Sequence, residues 1–231
     1  EKGQQHIELD IEMEPGSRGS FLAHCTFPNA VEVEHTMNAE IVIRPGASYE
    51  YSETHVHGPG GGVVVVPKAR VRVERGGRFR TEFILTEGRV GRLDIDYETV
   101  VGEDGVLEML AKVFGRGADE IEIDERGILE GDRARGVLES YVALRDEARA
   151  AIRNSLIAEG ADSRGHVDCK EIIQDRARAS AVPIVDVRHP KAHVTHEAAI
   201  GSVDSQQLET LMTRGLDEDA AVDLIIAGML S

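Results

Sequence analysis

Apolar and polar residues alternate over short runs along most of the chain. The alternation is clear in ARVRVE (69–74), RFRTEFIL (78–85) and GRLDIDYETV (91–100). A period of two residues is typical of β-strands, because successive side chains point to opposite faces of a sheet. Glycines such as Gly76 and Gly88 separate these runs at short intervals. The pattern therefore predicts an all-β fold made of many short strands.

The chain also repeats itself after 29 residues. RGVLESYVALRDEARA (135–150) aligns with RGHVDCKEIIQDRARA (164–179), and six of the aligned pairs are identical. In a strand-rich chain this repeat indicates successive coils of a β-solenoid, although chance similarity between two strand-turn units is the alternative. The repeat argues against a helix over residues 143–160. In this register Cys169 occupies the position that Ser140 holds one coil earlier.

The last thirty residues have a helical pattern. Asp204 is placed to cap a first helix that stops at Gly215, and Asp217 to cap a second that stops at Gly228. Two helices this short do not fold alone, so they must pack on the β-structure or on a partner. From the pattern alone, a packed terminal cap and a partner-binding hairpin are both open.

Charge and cysteine content exclude several classes of protein. The chain has 42 acidic and 26 basic residues and a net charge of -16, which repels nucleic acid and favours a basic partner or metal cations. Its two cysteines, Cys25 and Cys169, are too few for a disulfide framework. Neither a secretion signal nor a membrane-spanning apolar run is evident. We therefore expect a cytoplasmic protein that binds neither nucleic acid nor a membrane.

Potential metal ligands are concentrated around Cys169 and in the stretch that follows it. His166 and Asp168 lie just before Cys169, and His196 and Glu197 follow it by 27 and 28 residues. Thiolate, imidazole and carboxylate together are ligands for zinc or iron. Because successive coils bring residues this far apart side by side, Cys169 is a candidate ligand. The alternative is a buried thiol that acts as a small apolar side chain.

A second group of candidates lies in ETHVHGPGGG (53–62). On a strand, Glu53, His55 and His57 would share one face and could hold a metal, as in cupin-type barrels. The glycines that follow favour a solvated turn instead. Cys25, in the apolar run FLAHCTF, is expected to be a core residue. Nucleotide-binding and GxSxG motifs are absent.

Three segments resemble the SufB/SufD family of iron-sulfur cluster assembly proteins. They are RGHVDC (164–169), ASAVPIVDVRHPKAHVTHEAAIG (179–201) and THEAAIGSVDSQQLETLMTRGLDEDAAVDLIIAGML (195–230). The combination of HEAAIG with LMTRGL is the most specific feature. The chain is most similar to short archaeal members that work with a single ATPase partner.

The resemblance implies a fold and a function. It implies a right-handed parallel β-helix over 1–202 and a partner-binding two-helix segment over 203–231. The function implied is that of a scaffold rather than an enzyme, in a homodimer or a SufB/SufD-type heterodimer that assembles a transient iron-sulfur cluster. Cys169, His196 and Glu197 match the family's ligand positions. A SufC-like ABC ATPase would bind the helices, with these apolar contact residues: Leu208, Leu211, Met212, Leu216, Ile225 and Ile226.

Ligand number supports dimerisation independently, because a cluster needs about four protein ligands and this chain offers one thiolate with a histidine or glutamate. The chain also departs from bacterial members of the family. Since no cysteine occurs between 26 and 168, the bacterial sulfur-entry route through a mid-solenoid cysteine does not transfer. Thr195 stands where bacterial scaffolds often carry an acid.

Two functions from other classes remain as alternatives. In a cysteine hydrolase, Cys169 would be the nucleophile, His196 or His166 the base, and Glu197 the residue that orients it, which requires a low thiol pKa. In a cupin-like metal binder, His55 and His57 would hold the metal.

Overall fold

The computed structural model describes residues 1–231 as fourteen β-strands followed by two α-helices. The strands are β1 (Lys2–Met13), β2 (Arg18–Phe27), β3 (Glu32–Ile43), β4 (Ser48–His57), β5 (Val63–Val73), β6 (Arg78–Glu87), β7 (Gly91–Val101), β8 (Val106–Gly115), β9 (Glu120–Leu129), β10 (Arg135–Leu144), β11 (Arg149–Ala158), β12 (Arg164–Ile173), β13 (Arg178–Val187) and β14 (His193–Gly201). The helices are α1 (Ser205–Thr213) and α2 (Glu218–Leu230).

The strands form two parallel seven-stranded sheets. One sheet has the order β1-β3-β5-β7-β9-β11-β13, and the other has the order β14-β12-β10-β8-β6-β4-β2. Each turn of the chain therefore adds one strand to each sheet, and seven turns stack into a parallel β-solenoid. This confirms the predicted fold class.

The 29-residue repeat is the step from one coil to the next. Arg135 pairs with Arg164, and Ser140 pairs with Cys169, as the alignment predicts. The segment 143–160 is the end of β10, a turn and β11, so the prediction that it is not a helix is confirmed.

Glycines occupy the turns that lead from the first sheet to the second. Gly16, Gly46 and Gly76 all have positive φ, at 71°, 68° and 66°. Glycine adopts this conformation without steric cost.

The core lies between the inner faces of the two sheets. Alternate side chains of each strand point inward, and 38 buried apolar residues form one continuous cluster. The stack has unpaired edge strands at both ends, β1 and β2 at one end and β13 and β14 at the other, and we call the end formed by β13 and β14 the open end. Inward positions on this last coil are consequently open to solvent, and Ile200 is 51% exposed.

Both helices begin as predicted. The carboxylate of Asp204 accepts a hydrogen bond from the Gln207 backbone N–H, and that of Asp217 accepts one from Ala220, each at 2.8 Å. The predicted stop at Gly228 is wrong, because α2 continues to Leu230. Leu230 is buried against the β-structure, and this burial outweighs the poor helix propensity of glycine.

The second helix packs on the outer face of the sheet of even-numbered strands. Val222 and Ile226 of α2 contact Phe114 of β8 and Ala143 of β10 in a small apolar cluster. Arg145 adds two ion pairs at this junction, at 2.6 Å to Asp219 and 3.0 Å to Asp223. Neither helix is long and apolar enough to cross a membrane.

Candidate metal and cluster site

Cys169 lies on the inner face of β12, one strand from the open end of the solenoid. Its neighbours in register are Ser140 on β10 and Ala198 on β14. The Cys169 side chain is fully buried, whereas Ala198 is exposed. Only β14 lies between this thiol and a molecule that packs on the open end. Adjacent strands are about 4.8 Å apart, so that molecule would come within two strand spacings of Cys169.

Polar side chains surround Cys169 in the interior. Asn154 donates a hydrogen bond to the Ser140 hydroxyl at 3.1 Å. Its Oδ1 atom, one carboxylate oxygen of Glu125 and both carboxylate oxygens of Glu171 are buried without a hydrogen-bond partner. Unpaired buried polar atoms are rare in proteins, and a bound ion is one explanation for them. The group is therefore a cluster of polar side chains within an apolar core.

Burial raises the pKa values of the thiol and of the two carboxyl groups in this cluster. It raises the pKa of the Cys169 thiol, and the nearby acids raise it further, although a hydrogen bond with Ser140 has the opposite effect. Burial also raises the pKa of Glu171 to about 7 and that of Glu125 to about 8. The thiol therefore stays protonated unless a metal ion displaces the proton. A raised pKa is the opposite of what a nucleophilic cysteine requires, so it does not support the hydrolase alternative.

Glu125 and Glu171 were not among the residues predicted for this site. Both stand at inward positions of alternating strands, where an apolar residue is expected. An acidic residue that interrupts the alternation in this way is a sequence signal for a buried polar site. Glu171 is two residues after Cys169 and shares its face of β12. It is the acid nearest to Cys169 along the chain on that face.

The other two predicted ligands lie on the adjacent strand, on opposite faces of it. His196 is in register with Val167 and therefore shares the inner face with Cys169, two positions away. Glu197 is in register with Asp168 on the outer face. Both His196 and Glu197 are exposed. A single chain thus places the three residues on neighbouring strands without bringing them into one ligand group.

The outer face around Glu197 carries its own polar network. Lys170 pairs with Asp168 at 2.6 Å, and the Tyr141 hydroxyl lies 3.3 Å from the same carboxylate. The His166 ring is 2.8 Å from the Thr195 hydroxyl. His166 therefore faces away from Cys169, which removes it as a base for that thiol.

The predicted partner-binding residues differ in burial. Ile226 is fully buried against the sheet, and Met212 is 42% exposed. The remaining four are partly buried: Leu208, Leu211, Leu216 and Ile225. Leu224, which was not among the predicted contact residues, is 52% exposed. The helical segment thus packs on its own solenoid and still presents apolar side chains to solvent.

The expectation of a solvated turn at His55 and His57 is wrong. Both are buried at the end of β4, with 1% and 6% exposure. The glycines that follow allow the coils to stack: a Cβ at Gly58 would lie 2.0 Å from the Pro28 carbonyl oxygen, and one at Gly62 would lie 2.6 Å from that of Val31. The solenoid also excludes a cupin-type barrel.

Cys25 is not a plain core residue. It faces the interior from β2 but is only partly buried, and its sulfur lies 3.5 Å from Nε2 of His35. The ligand atoms of Cys25, His35, Glu53 and His55 all lie within 4.8 Å of one another. Cys25 thus faces the core as expected, but it lies beside polar side chains rather than in purely apolar surroundings.

Comparison with known proteins agrees with the fold and the segments that carry the resemblance. A family model described as SUF system FeS cluster assembly, SufBD core domain, matches residues 1–229. The iron-sulfur cluster assembly SufBD family protein MJ0034 of Methanocaldococcus jannaschii is 38% identical over 226 residues, which are 98% of this chain and 72% of that protein. The family protein PH0883 of Pyrococcus horikoshii is 34% identical over 99% of this chain and 70% of its own length. A more distant relative, ML0593 of Mycobacterium leprae, is 29% identical over 93% of this chain and 25% of its own length. The chain therefore belongs to the SufBD family and has a role in iron-sulfur cluster assembly.

Proposed function

We propose that this chain is a non-catalytic scaffold on which a nascent iron-sulfur cluster is assembled between two chains, with Cys169 of each chain as a ligand. One observation carries the proposal: Cys169 is buried on the inner face one strand from the unpaired end of the solenoid. A second chain packed on that end would bring two such thiols close to one seam. The cluster is the cargo of this protein and leaves it after assembly.

Ligand number supports a site shared by two chains. A cluster takes about four protein ligands. One chain supplies a single cysteine at this end, together with His196 and Glu197 on the exposed edge strand. Two chains supply two thiolates and two imidazole-carboxylate pairs. Such a mixed set holds a cluster less firmly than four thiolates, which suits a protein that must release it.

The open end of the solenoid has the character of a protein interface. The strands β13 and β14 leave backbone N–H and C=O groups unpaired at the edges of both sheets. Proteins usually cover or pair such edges, because they otherwise promote association. Val182, Ile184 and Ile200 add exposed apolar side chains at the same end. A two-fold axis here would extend both sheets across the seam and make the contact self-complementary. A paralogous chain with a similar edge could take the second place.

Assembly at Cys169 requires movement, because the thiol has no exposed surface in the single chain. The helical segment is connected to the site through the sheet. Ile172, three residues after Cys169 on β12, packs against the cluster formed by α2. We propose that a SufC-like ABC ATPase binds the helical segment and that its ATP-driven motion is transmitted through Ile172 to the end of β12. The seam would then open and close around the cluster.

The exposed apolar residues of the helices give a test of the partner. In the double variant Met212→Asp with Leu224→Asp, we expect loss of at least about 90% of the ATPase recovered in a pull-down, because both substitutions place charge in an apolar contact. Leu22→Asp is the matched control, since Leu22 is an exposed apolar residue far from the helices, on β2. Equal recovery with the parent and the double variant would contradict the proposed contact.

The function itself is tested by assembly and transfer. After anaerobic incubation with ferrous iron and sulfide, we expect the protein to gain visible absorption, iron and acid-labile sulfide. On addition of an apo-ferredoxin, the cluster should pass to that acceptor, and the scaffold should lose its colour. Failure to form a cluster, or a cluster that never transfers, would contradict a scaffold function.

A further inference from the structure

A second group of metal-ligand side chains lies at the other end of the solenoid. Cys25 comes from β2, His35 from β3, and Glu53 and His55 from β4. The group therefore joins both sheets across the interior of the first two coils. In the sheet order, β2 is five strands from β12, which places this group about 24 Å from Cys169 along the stack. It has no part in the proposed cluster site.

The distances in this group are close to those of a tetrahedral metal site. Two ligand atoms on a tetrahedral zinc ion lie about 3.3–3.6 Å apart, given bond lengths of about 2.0–2.3 Å. Here Cys25 Sγ is 3.5 Å from His35 Nε2 and 3.8 Å from Glu53 Oε1. His35 Nε2 is 3.8 Å from the same oxygen. His55 Nε2 is nearer to it, at 2.6 Å, and would move by about 0.7 Å to accommodate an ion.

Hydrogen bonds outside the group fix the ring nitrogen that His55 offers to it. The carbonyl of Arg89 only accepts, so the His57 Nδ1–H donates to it at 3.2 Å, and the His57 Nε2 atom is left as an acceptor. The Nδ1–H of His55 donates to that atom at 3.1 Å. The His55 Nε2 atom therefore faces Oε1 of Glu53 at 2.6 Å, a contact that a proton bridges in the metal-free chain and in which a metal ion would displace that proton.

The remaining ligands are oriented in the same way. The His35 Nδ1–H donates to Oε1 of Gln5 at 2.9 Å, so its Nε2 atom is the ring nitrogen that faces the Cys25 sulfur, at 3.5 Å. The Tyr51 hydroxyl donates to Oε2 of Glu53 at 2.9 Å and leaves Oε1 free. Outer hydrogen bonds that fix the tautomer of a histidine and the orientation of a carboxylate are typical of metal sites in proteins.

A metal ion has a route into this group. An open cavity of about 470 Å³ at the first coil is lined by Cys25, His35 and Glu53. The three side chains other than Cys25 are nearly fully buried, so the ion would enter from the side of the sulfur. Once bound, it would have four protein ligands and no open position, as structural sites do.

We propose that Cys25, His35, Glu53 and His55 bind a divalent transition-metal ion of tetrahedral preference, with zinc as the best match, and that this ion holds together the first coils of the solenoid. One thiolate, two imidazoles and one carboxylate form a ligand set of intermediate softness, which suits zinc better than magnesium or calcium. The ion would link β2, β3 and β4 at the end of the stack where β1 and β2 have a free edge.

The test uses cobalt as a spectroscopic probe and zinc as the competitor. Protein stripped with a chelator is titrated with Co²⁺, without iron or sulfide. We expect one cobalt per chain, with the intense visible bands of tetrahedral coordination and a sulfur-to-cobalt charge-transfer band, and displacement of cobalt by Zn²⁺. Zinc at 100 times its Kd should raise the Tm of the parent by at least about 5 °C.

Variants assign the ligands. Cys25→Ser should lose the charge-transfer band, and both Cys25→Ser and Glu53→Gln should weaken cobalt binding at least about 100-fold. Two matched controls should bind as the parent does: Cys169→Ser, which removes the other thiol, and His24→Ala, which removes an exposed histidine next to Cys25. Far-UV circular dichroism establishes that each variant is folded.

Three results would overturn the proposal. They are the absence of stoichiometric cobalt binding by the parent, unchanged binding by folded Cys25→Ser, and a charge-transfer band that disappears in Cys169→Ser instead. None of them would contradict cluster assembly at the other end of the solenoid.

Discussion

Replacing Cys169 by serine is expected to abolish cluster assembly while leaving the fold intact. Cys169 is the only thiol near the open end of the solenoid, and a serine hydroxyl does not replace a thiolate on iron. After reconstitution with iron and sulfide, the variant should retain less than about a tenth of the parent's bound iron and visible absorption. The fold should tolerate the change, because Ser140 occupies the same position one coil earlier and is fully buried there.

Cys25→Ser provides the matched control for this experiment. It also removes one of two cysteines, but at the opposite end of the stack. It should reconstitute as the parent does. If Cys169→Ser and the parent take up equal iron and show equal absorption, Cys169 is not a cluster ligand. If Cys25→Ser loses the absorption instead, the cluster lies at the first coils.

Placing a charge at the open end is expected to separate the two chains. Ile200 lies on the inward face of β14 and is 51% exposed, so an aspartate there stays hydrated in the single chain. In the proposed seam, the same carboxylate would lose its water, and the two-fold axis would bring a second one close to it. The Kd of the dimer should weaken at least about 100-fold, which analytical ultracentrifugation measures. Bound iron after reconstitution should fall with the dimer.

Leu22→Asp is the control for this variant, as it is for the ATPase contact. Leu22 is 64% exposed on β2, the strand at the other edge of the same sheet. A charge there should change neither the Kd nor the bound iron. A dimer of normal affinity in folded Ile200→Asp would contradict a seam at β14, and loss of the dimer in Leu22→Asp would place the contact at the first coils.

Much of the fold follows from local signals in the sequence. The two-residue alternation identifies the strands, and the 29-residue repeat gives both the stacking and the exact pairing of Ser140 with Cys169. The two N-terminal helix caps are also local, since each aspartate bonds to a backbone N–H three residues later. The C-terminal end of α2 is determined by a tertiary contact instead, because the burial of Leu230 against the sheet extends the helix past Gly228.

The candidate metal and cluster sites are harder to predict from the sequence than the fold is. His196 and Glu197 are consecutive on a strand, so alternation alone places them on opposite faces, and the structure does so. The group around Cys25 depends on contacts that no motif spacing reveals. His35 reaches Cys25 from the opposite sheet. The glycines Gly58 and Gly62 have the composition of a solvated turn, and only the stacked backbones show that side chains do not fit there.

Native mass spectrometry of the reconstituted protein tests the central claim most directly, because it counts chains and clusters in one measurement. If the cluster is assembled across a seam at β14, the spectrum will contain a dimer that carries one cluster, and the monomer will carry none. A cluster on the monomer, or one cluster per chain in the dimer, would contradict the shared site.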